Sequence, residues 1–229
     1  MRVLKALMIS AALTLPMGPA AWAQALITVT GEATVQSAPD MATVMLGVTT
    51  NGATAAEAMT ANNAALAAVF DRLKVSGIEE RDLQTSNLSV NPNWTGYDGA
   101  STPTINGYTA TNMLNVRVRD LAKVGEVLDA SIADGANTLN GITFEVSNPR
   151  PVQDEARKSA VKDARARAEL LAEAAGVQLG RVMSISEQSG YGGPMPMFRA
   201  EADSAAGVPI ASGQVGLGAT VTISYEILE

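Results

Sequence analysis

Met41-Ala42-Thr43-Val44-Met45-Leu46-Gly47-Val48 is the stretch from which the fold of this chain is read. Ala42, Val44, Leu46 and Val48 share one parity, the period of two that turns one strand face to a core and the other to water. From Thr54 to Val75 the period changes. Met59, Leu66, Val69, Phe70 and Leu73 recur at three- and four-residue spacing until Gly77 stops the run. A weaker strand is predicted over 83–90. A clearer one follows where Leu114, Val116 and Val118 alternate with Asn115, Arg117 and Arg119. Leu121, Val124, Leu128 and Ile132 then mark a helix before Gly135, and Ile142, Phe144 and Val146 a short strand after Gly141. Residues 41–147 therefore read β-α-β-β-α-β, the split order of ferredoxin-like sheets.

On the N-terminal side, Ile27, Val29, Ala33 and Val35 alternate with Thr28, Thr30, Thr34 and Gln36. On the C-terminal side, Pro149 and Pro151 lead into a helix predicted over 152–175, striped by Ala156, Ala160, Ala164, Ala168, Leu171 and Ala175. Asp163 and Arg167 are spaced for an i,i+4 ion pair on it. A weaker strand over 181–187 and a strong one through Val221, Ile223, Tyr225 and Ile227 complete the chain. The fold class is α+β: a two-layer, mostly antiparallel sheet with a ferredoxin-like segment, extended by the first strand and a final α-β-β.

The first 23 residues have the layout of a cleaved signal peptide. Arg2 and Lys5 precede an almost wholly apolar stretch over 6–15; Pro16 and Gly18 follow, and then Ala21-Trp22-Ala23. The apolar stretch is shorter than the roughly 20 residues a bilayer span needs. Residues 24–229 are then one exported, periplasmic domain. The 229-residue chain has no Cys, so neither disulfides nor the usual lipid attachment point are expected, and no later segment reads as membrane-inserting. Its net charge of −7, which becomes more negative without Arg2 and Lys5, argues against nucleic acid as a partner.

Chemistry is constrained by what is missing. With no His and no Cys, Ser-His-Asp and Cys-His machinery and imidazole or thiolate zinc sites are excluded. Ser159-Ala160-Val161-Lys162 matches S-x-x-K, but lies mid-helix with no S-D-N or K-T-G elsewhere, and reads as a solvated helix face. Glu79-Glu80 and Asp154-Glu155 have local roles in a turn and at a helix start. No catalytic residue, cofactor or metal site is assigned.

Two long loops are predicted, 91–106 with Trp94 and Tyr97, and 189–216 with Tyr191, Met195, Met197 and Phe198. Loops of that length are usually functional or disordered, and these six side chains are the candidate interaction residues. Met195 and Met197 also suit a soft metal such as Cu(I), with Trp94 or Tyr97 as an apolar wall, the alternative to an interaction role. A hydrolase with an unrecognised Ser-Lys or carboxylate site is the third reading.

Several segments together resemble the SIMPL-domain family, also called DUF541. They are Val29-Thr30-Gly31-Glu32 with Asp40; Gly77-Ile78 with Asp82-Leu83-Gln84-Thr85; and Gly107-Tyr108-Thr109-Ala110-Thr111-Asn112. Gly135-Ala136-Asn137, then Gly141-Ile142-Thr143-Phe144-Glu145-Val146-Ser147, the spaced alanines, Gly176 with Leu179-Gly180, and Pro209-Ile210 with Gly213 continue the series. The family includes bacterial periplasmic immunogenic and oxidative-stress-defence proteins. The resemblance implies an α+β fold, a periplasmic or secreted location, an association with envelope or oxidative-stress tolerance, and in some members large homo-oligomers; it supplies no catalytic residues. Gly31, Gly77, Gly135 and Gly141 are expected at turns or at positive φ, and Asn137 at a cap or turn. The expected function is non-catalytic: a homo-oligomer, or a binder of an envelope protein partner.

Overall fold

The computed structural model describes residues 25–96, 102–188, 195–197 and 210–228. The predicted signal peptide lies outside them. Strand β2 (Met41–Gly52) is central to a four-stranded sheet with β3 (Leu83–Thr95), β4 (Thr104–Val118) and β5 (Thr138–Glu145). Their order is β3-β4-β2-β5 and every neighbouring pair is antiparallel, the arrangement the β-α-β-β-α-β reading requires. Helices α1 (Ala55–Val75) and α2 (Val124–Ala133) supply Leu66, Val69, Leu73, Val127 and Leu128 to a core with Val44, Leu46, Val48, Leu114 and Val116. Thr54 starts α1 with a capping box: its hydroxyl accepts from Glu57 N–H and its own N–H donates to the Glu57 carboxylate. Asn62, fully buried on α1, donates to the carbonyls of Val48 and Ala110 and so pins the helix to two strands.

Asn137 holds a strand. Its amide donates to the Thr49 carbonyl and accepts from the Thr49 N–H, both at 2.8 Å, prolonging the β2–β5 ladder by a side chain. Gly77, Gly135 and Gly141 do carry positive φ.

The final α-β-β pairs with the first strand in a sheet of its own. Strand β1 (Leu26–Ser37) and β6 (Gln178–Glu187) flank β8 (Gln214–Leu228), all antiparallel, and a short β7 (Met195–Met197) also pairs with β8. Helix α3 (Arg150–Ala175) lies over β1 and β8, where Ala160, Ala164 and Ala168 meet Val29, Val221, Ile223 and Tyr225. The buried row keeps its four-residue step to the end, so Ala172 faces inward while Leu171 and Ala175 are exposed. A leucine in that row would hold the helix further from the sheet than the neighbouring alanines allow.

Gly31 is not at a turn and has no positive φ, contrary to expectation. It stands within β1 where α3 crosses: a Cβ there would lie 2.1 Å from the Ala160 carbonyl oxygen and 2.4 Å from the Ala164 nitrogen. Asp163 and Arg167 form the predicted pair at 2.9 Å. They also bond the β1 backbone, Asp163 accepting from Glu32 N–H and Arg167 donating to the Thr30 carbonyl. Side chains thus satisfy part of an otherwise open strand edge.

Half of the predicted loop over 91–106 is strand. β3 runs on to Thr95 and β4 begins at Thr104, leaving a short connection. Pro92 is tolerated because β3 is an edge strand and the register slips between Pro92 and Trp94. Part of the second predicted loop is likewise strand, as β7.

Candidate functional site

β2 ends at Gly52, opposite Tyr108, while β3 and β4 continue pairing out to Thr95 and Thr104. The last part of the β3–β4 hairpin is therefore a two-stranded arm extending beyond the sheet. Gly107, at its base, has φ +140, and a Cβ there would lie 2.9 Å from the Gly52 carbonyl oxygen. A glycine lets the arm pass the end of β2. Near the tip, Trp94 is directly opposite Ile105, and they are 47% and 45% exposed. The Thr95 and Thr104 hydroxyls meet at 3.3 Å beside them, and Gly96 turns the chain at φ +89. An isolated two-stranded hairpin is marginally stable in water, and an aromatic–aliphatic cross-strand pair contributes below about 1 kcal/mol. A partner burying both side chains would order the arm and remove apolar surface from water together.

Of the six candidate residues, Trp94 is the one whose side chain is described. Trp94 is on the arm. Tyr97, Tyr191 and Phe198 lie outside the described residues. Met195 and Met197 fall in β7, whose backbone pairs with Gly216 and Gln214; their side chains lie outside the described residues. β8 at that point also pairs with Gln36 and Ser37, at the end of β1 leading into β2. Trp94 lies past the other end of β2, so the whole of that strand separates the two places along the strand path.

Asp82, one of the family segments' residues, meets Arg119, a residue that marks only the polar side of a strand in the sequence. Its two carboxylate oxygens take Arg119 Nε and Nη2 at 2.8 and 2.7 Å, a two-pronged pair joining the turn before β3 to the end of β4. Asp82 is buried and Arg119 about half exposed. The Arg119 hydrogen bonds hold the Asp82 carboxyl below the usual carboxylate range. Asp40 is held low in the same way by the Ser147 hydroxyl and backbone N–H, at 2.7 and 2.6 Å, which tie the start of β2 to the segment after β5. The available signal was Arg117-x-Arg119 on the wet side of a strand, two charges where threonine and asparagine otherwise prevail.

The catalytic alternatives gain no geometry. Ser159 is half-buried and Lys162 exposed on α3. Glu79 pairs with Arg81, Asp154 with Arg157 and Glu155 with Lys158. Among the described residues no three acidic side chains converge to hold a metal ion, and no helix is long and apolar enough to cross a membrane.

An α+β protein with a ferredoxin-like sheet, a second alanine-packed sheet and a projecting hairpin is the class these observations define. The chain belongs to the SIMPL family, described as a protein of unknown function (DUF541), whose model matches residues 27–225. It is 44% identical over 210 residues to the 26 kDa periplasmic immunogenic protein of Brucella melitensis, covering 88% of this chain and 84% of that one. It is 32% identical over 159 residues to the uncharacterized protein YggE of Edwardsiella ictaluri, covering 69% and 66%. With YggE of Escherichia coli K12 it shares 30% identity over 173 residues, covering 76% and 70%.

Proposed function

We propose that this protein acts without catalysis in the periplasm, by self-association or by binding other envelope proteins through the β3–β4 arm, in support of envelope and oxidative-stress tolerance. The observation that carries the reading is the Trp94–Ile105 pair, half exposed on a ribbon that no third strand flanks among the described residues. The periplasmic location is supported by the N-terminal leader pattern and by the name of the Brucella relative. The stress association rests on the family resemblance.

A chain without cysteine gives a clean test. Ile105→Cys places a single thiol at the arm. If two copies meet there, mild oxidation gives a disulfide-linked dimer at low protein concentration, and Val75→Cys, exposed at the end of α1, does not. Equal crosslinking at both positions would remove the arm from the proposal.

A further inference from the structure

On the face of the ferredoxin-like sheet turned away from α1 and α2, the register sets Thr43 opposite Arg117 and Gln84 opposite Asn115. Their strand neighbours Ala42, Val44, Leu83, Leu114, Val116 and Val118 pack on the helix side, so the strand alternation turns these four outward. Arg81, in the short 3-10 turn before β3, joins them, and together with Asp82 they line a cavity of about 260 Å³.

The charges in that cavity are unbalanced. Asp82 is the acid among its lining residues, and both its oxygens are occupied by Arg119. Arg81 is tied through Nε to Glu79 in an exposed pair, and its terminal nitrogens, further donors, have no other carboxylate within 4.0 Å among the described residues. Arg117 has no carboxylate within 4.0 Å among the described residues. Glu145 takes the Thr43 hydroxyl from β5, two strands from Arg117, and does not line the cavity. Asn115 Oδ1 is buried with no hydrogen-bond partner among the described residues, so an amide beside the arginines has unused bonding capacity. In a chain of net charge −7, two guanidiniums sharing a polar cavity are a local reversal of sign.

We propose that this cavity binds an oxyanion, a phosphate or carboxylate group of a small molecule. Arg117 and Arg81 fork onto its oxygens, and the Gln84 amide donates a further hydrogen bond. Planar guanidiniums suit both oxyanions because they present paired donors. Overall negative charge opposes the approach of any anion, so binding depends on these side chains and not on the general field.

Nitrogen-15 NMR of the purified protein, titrated separately with sodium phosphate and sodium acetate at constant ionic strength, tests the site. The expected result is saturable shifts at Arg117 Nε and at the side-chain amides of Gln84 and Asn115. A response to phosphate alone assigns a phosphate ester, and a response to acetate alone a carboxylate. Arg117→Gln weakens binding roughly tenfold or more, as expected for loss of a charge-assisted pair. Arg117→Lys loses less, and Arg150→Gln, an exposed arginine outside the cavity, leaves affinity unchanged. Arg81→Gln, in the exposed turn, carries the same comparison should Arg117→Gln fail to fold. No saturable shift with either probe, or wild-type affinity in a folded Arg117→Gln or Arg81→Gln protein, overturns the proposal.

Discussion

Gly31 and Gly218 are both strand glycines without positive φ, yet their surroundings differ. A methyl group on Gly31 would strike the backbone of α3, whereas one on Gly218 would find Thr34 Oγ1 at 3.6 Å and the Ala33 carbonyl oxygen at 3.7 Å. Gly31→Ala should therefore cost about 1–3 kcal/mol in urea unfolding, the usual range for overpacking. Gly218→Ala should be neutral or stabilising by up to about 1 kcal/mol. Similar losses at both positions would mean that α3 does not sit as described. Asn62→Ala should cost about 1–3 kcal/mol by removing two buried hydrogen bonds. At this scale the sequence was partly legible. Gly77, Gly135 and Gly141 show their conformational role through neighbouring turn residues, but Gly31 answers to a helix more than a hundred residues away. That contact leaves no local mark.

Among the elements, β2, α1, α2 and β8 were plain because each has one face in a core and one in water. The arm was not. Asn91 to Asn106 is rich in Asn, Thr, Gly and Pro, which favour turns, and its ribbon has no core to impose a period of two. Trp94 and Ile105 contribute little to the fold, since both are about half exposed. A Trp94→Ser/Ile105→Ser variant should keep wild-type stability within about 1 kcal/mol. A larger loss in denaturant unfolding would show that the pair serves the fold and not a partner.

At the scale of the whole molecule, the described residues form two separate apolar clusters of different make. The ferredoxin-like half is filled by valine and leucine, and the other half relies on three alanines of α3 against a few larger strand residues. Less apolar area per residue is buried in the second, so amides of α3 should exchange with deuterium sooner than those of α1; the reverse order would contradict that ranking.

Charge gives a second global expectation. Asp40, Asp82, Asp134 and Asp163 are all held low, chiefly by hydrogen bonds from Ser147, Arg119, Arg72 and the Glu32 backbone in turn. A carboxyl depressed in the folded state adds stability above its unfolded value near about 3.9 and loses it as pH falls through the folded value. With no His to titrate, stability should stay nearly flat from about pH 8 to pH 5 and fall below about pH 4. A urea midpoint that rises on acidification from pH 5 to 3 would contradict the sign.

The order β-α-β-β-α-β over 41–147 and the fold class were legible, because hydrophobic period records burial. Which strands share a sheet was less so, since β1 meets β8 only through pairing between the two ends of the domain. Association through the arm is tested most directly by the solution mass, from light scattering over a concentration series. For self-association through the arm, the wild type should show a closed assembly of constant mass, and Trp94→Ser/Ile105→Ser should revert toward the monomer while keeping its circular dichroism. A wild-type monomer at every concentration, or an assembly indifferent to both substitutions, would contradict that claim.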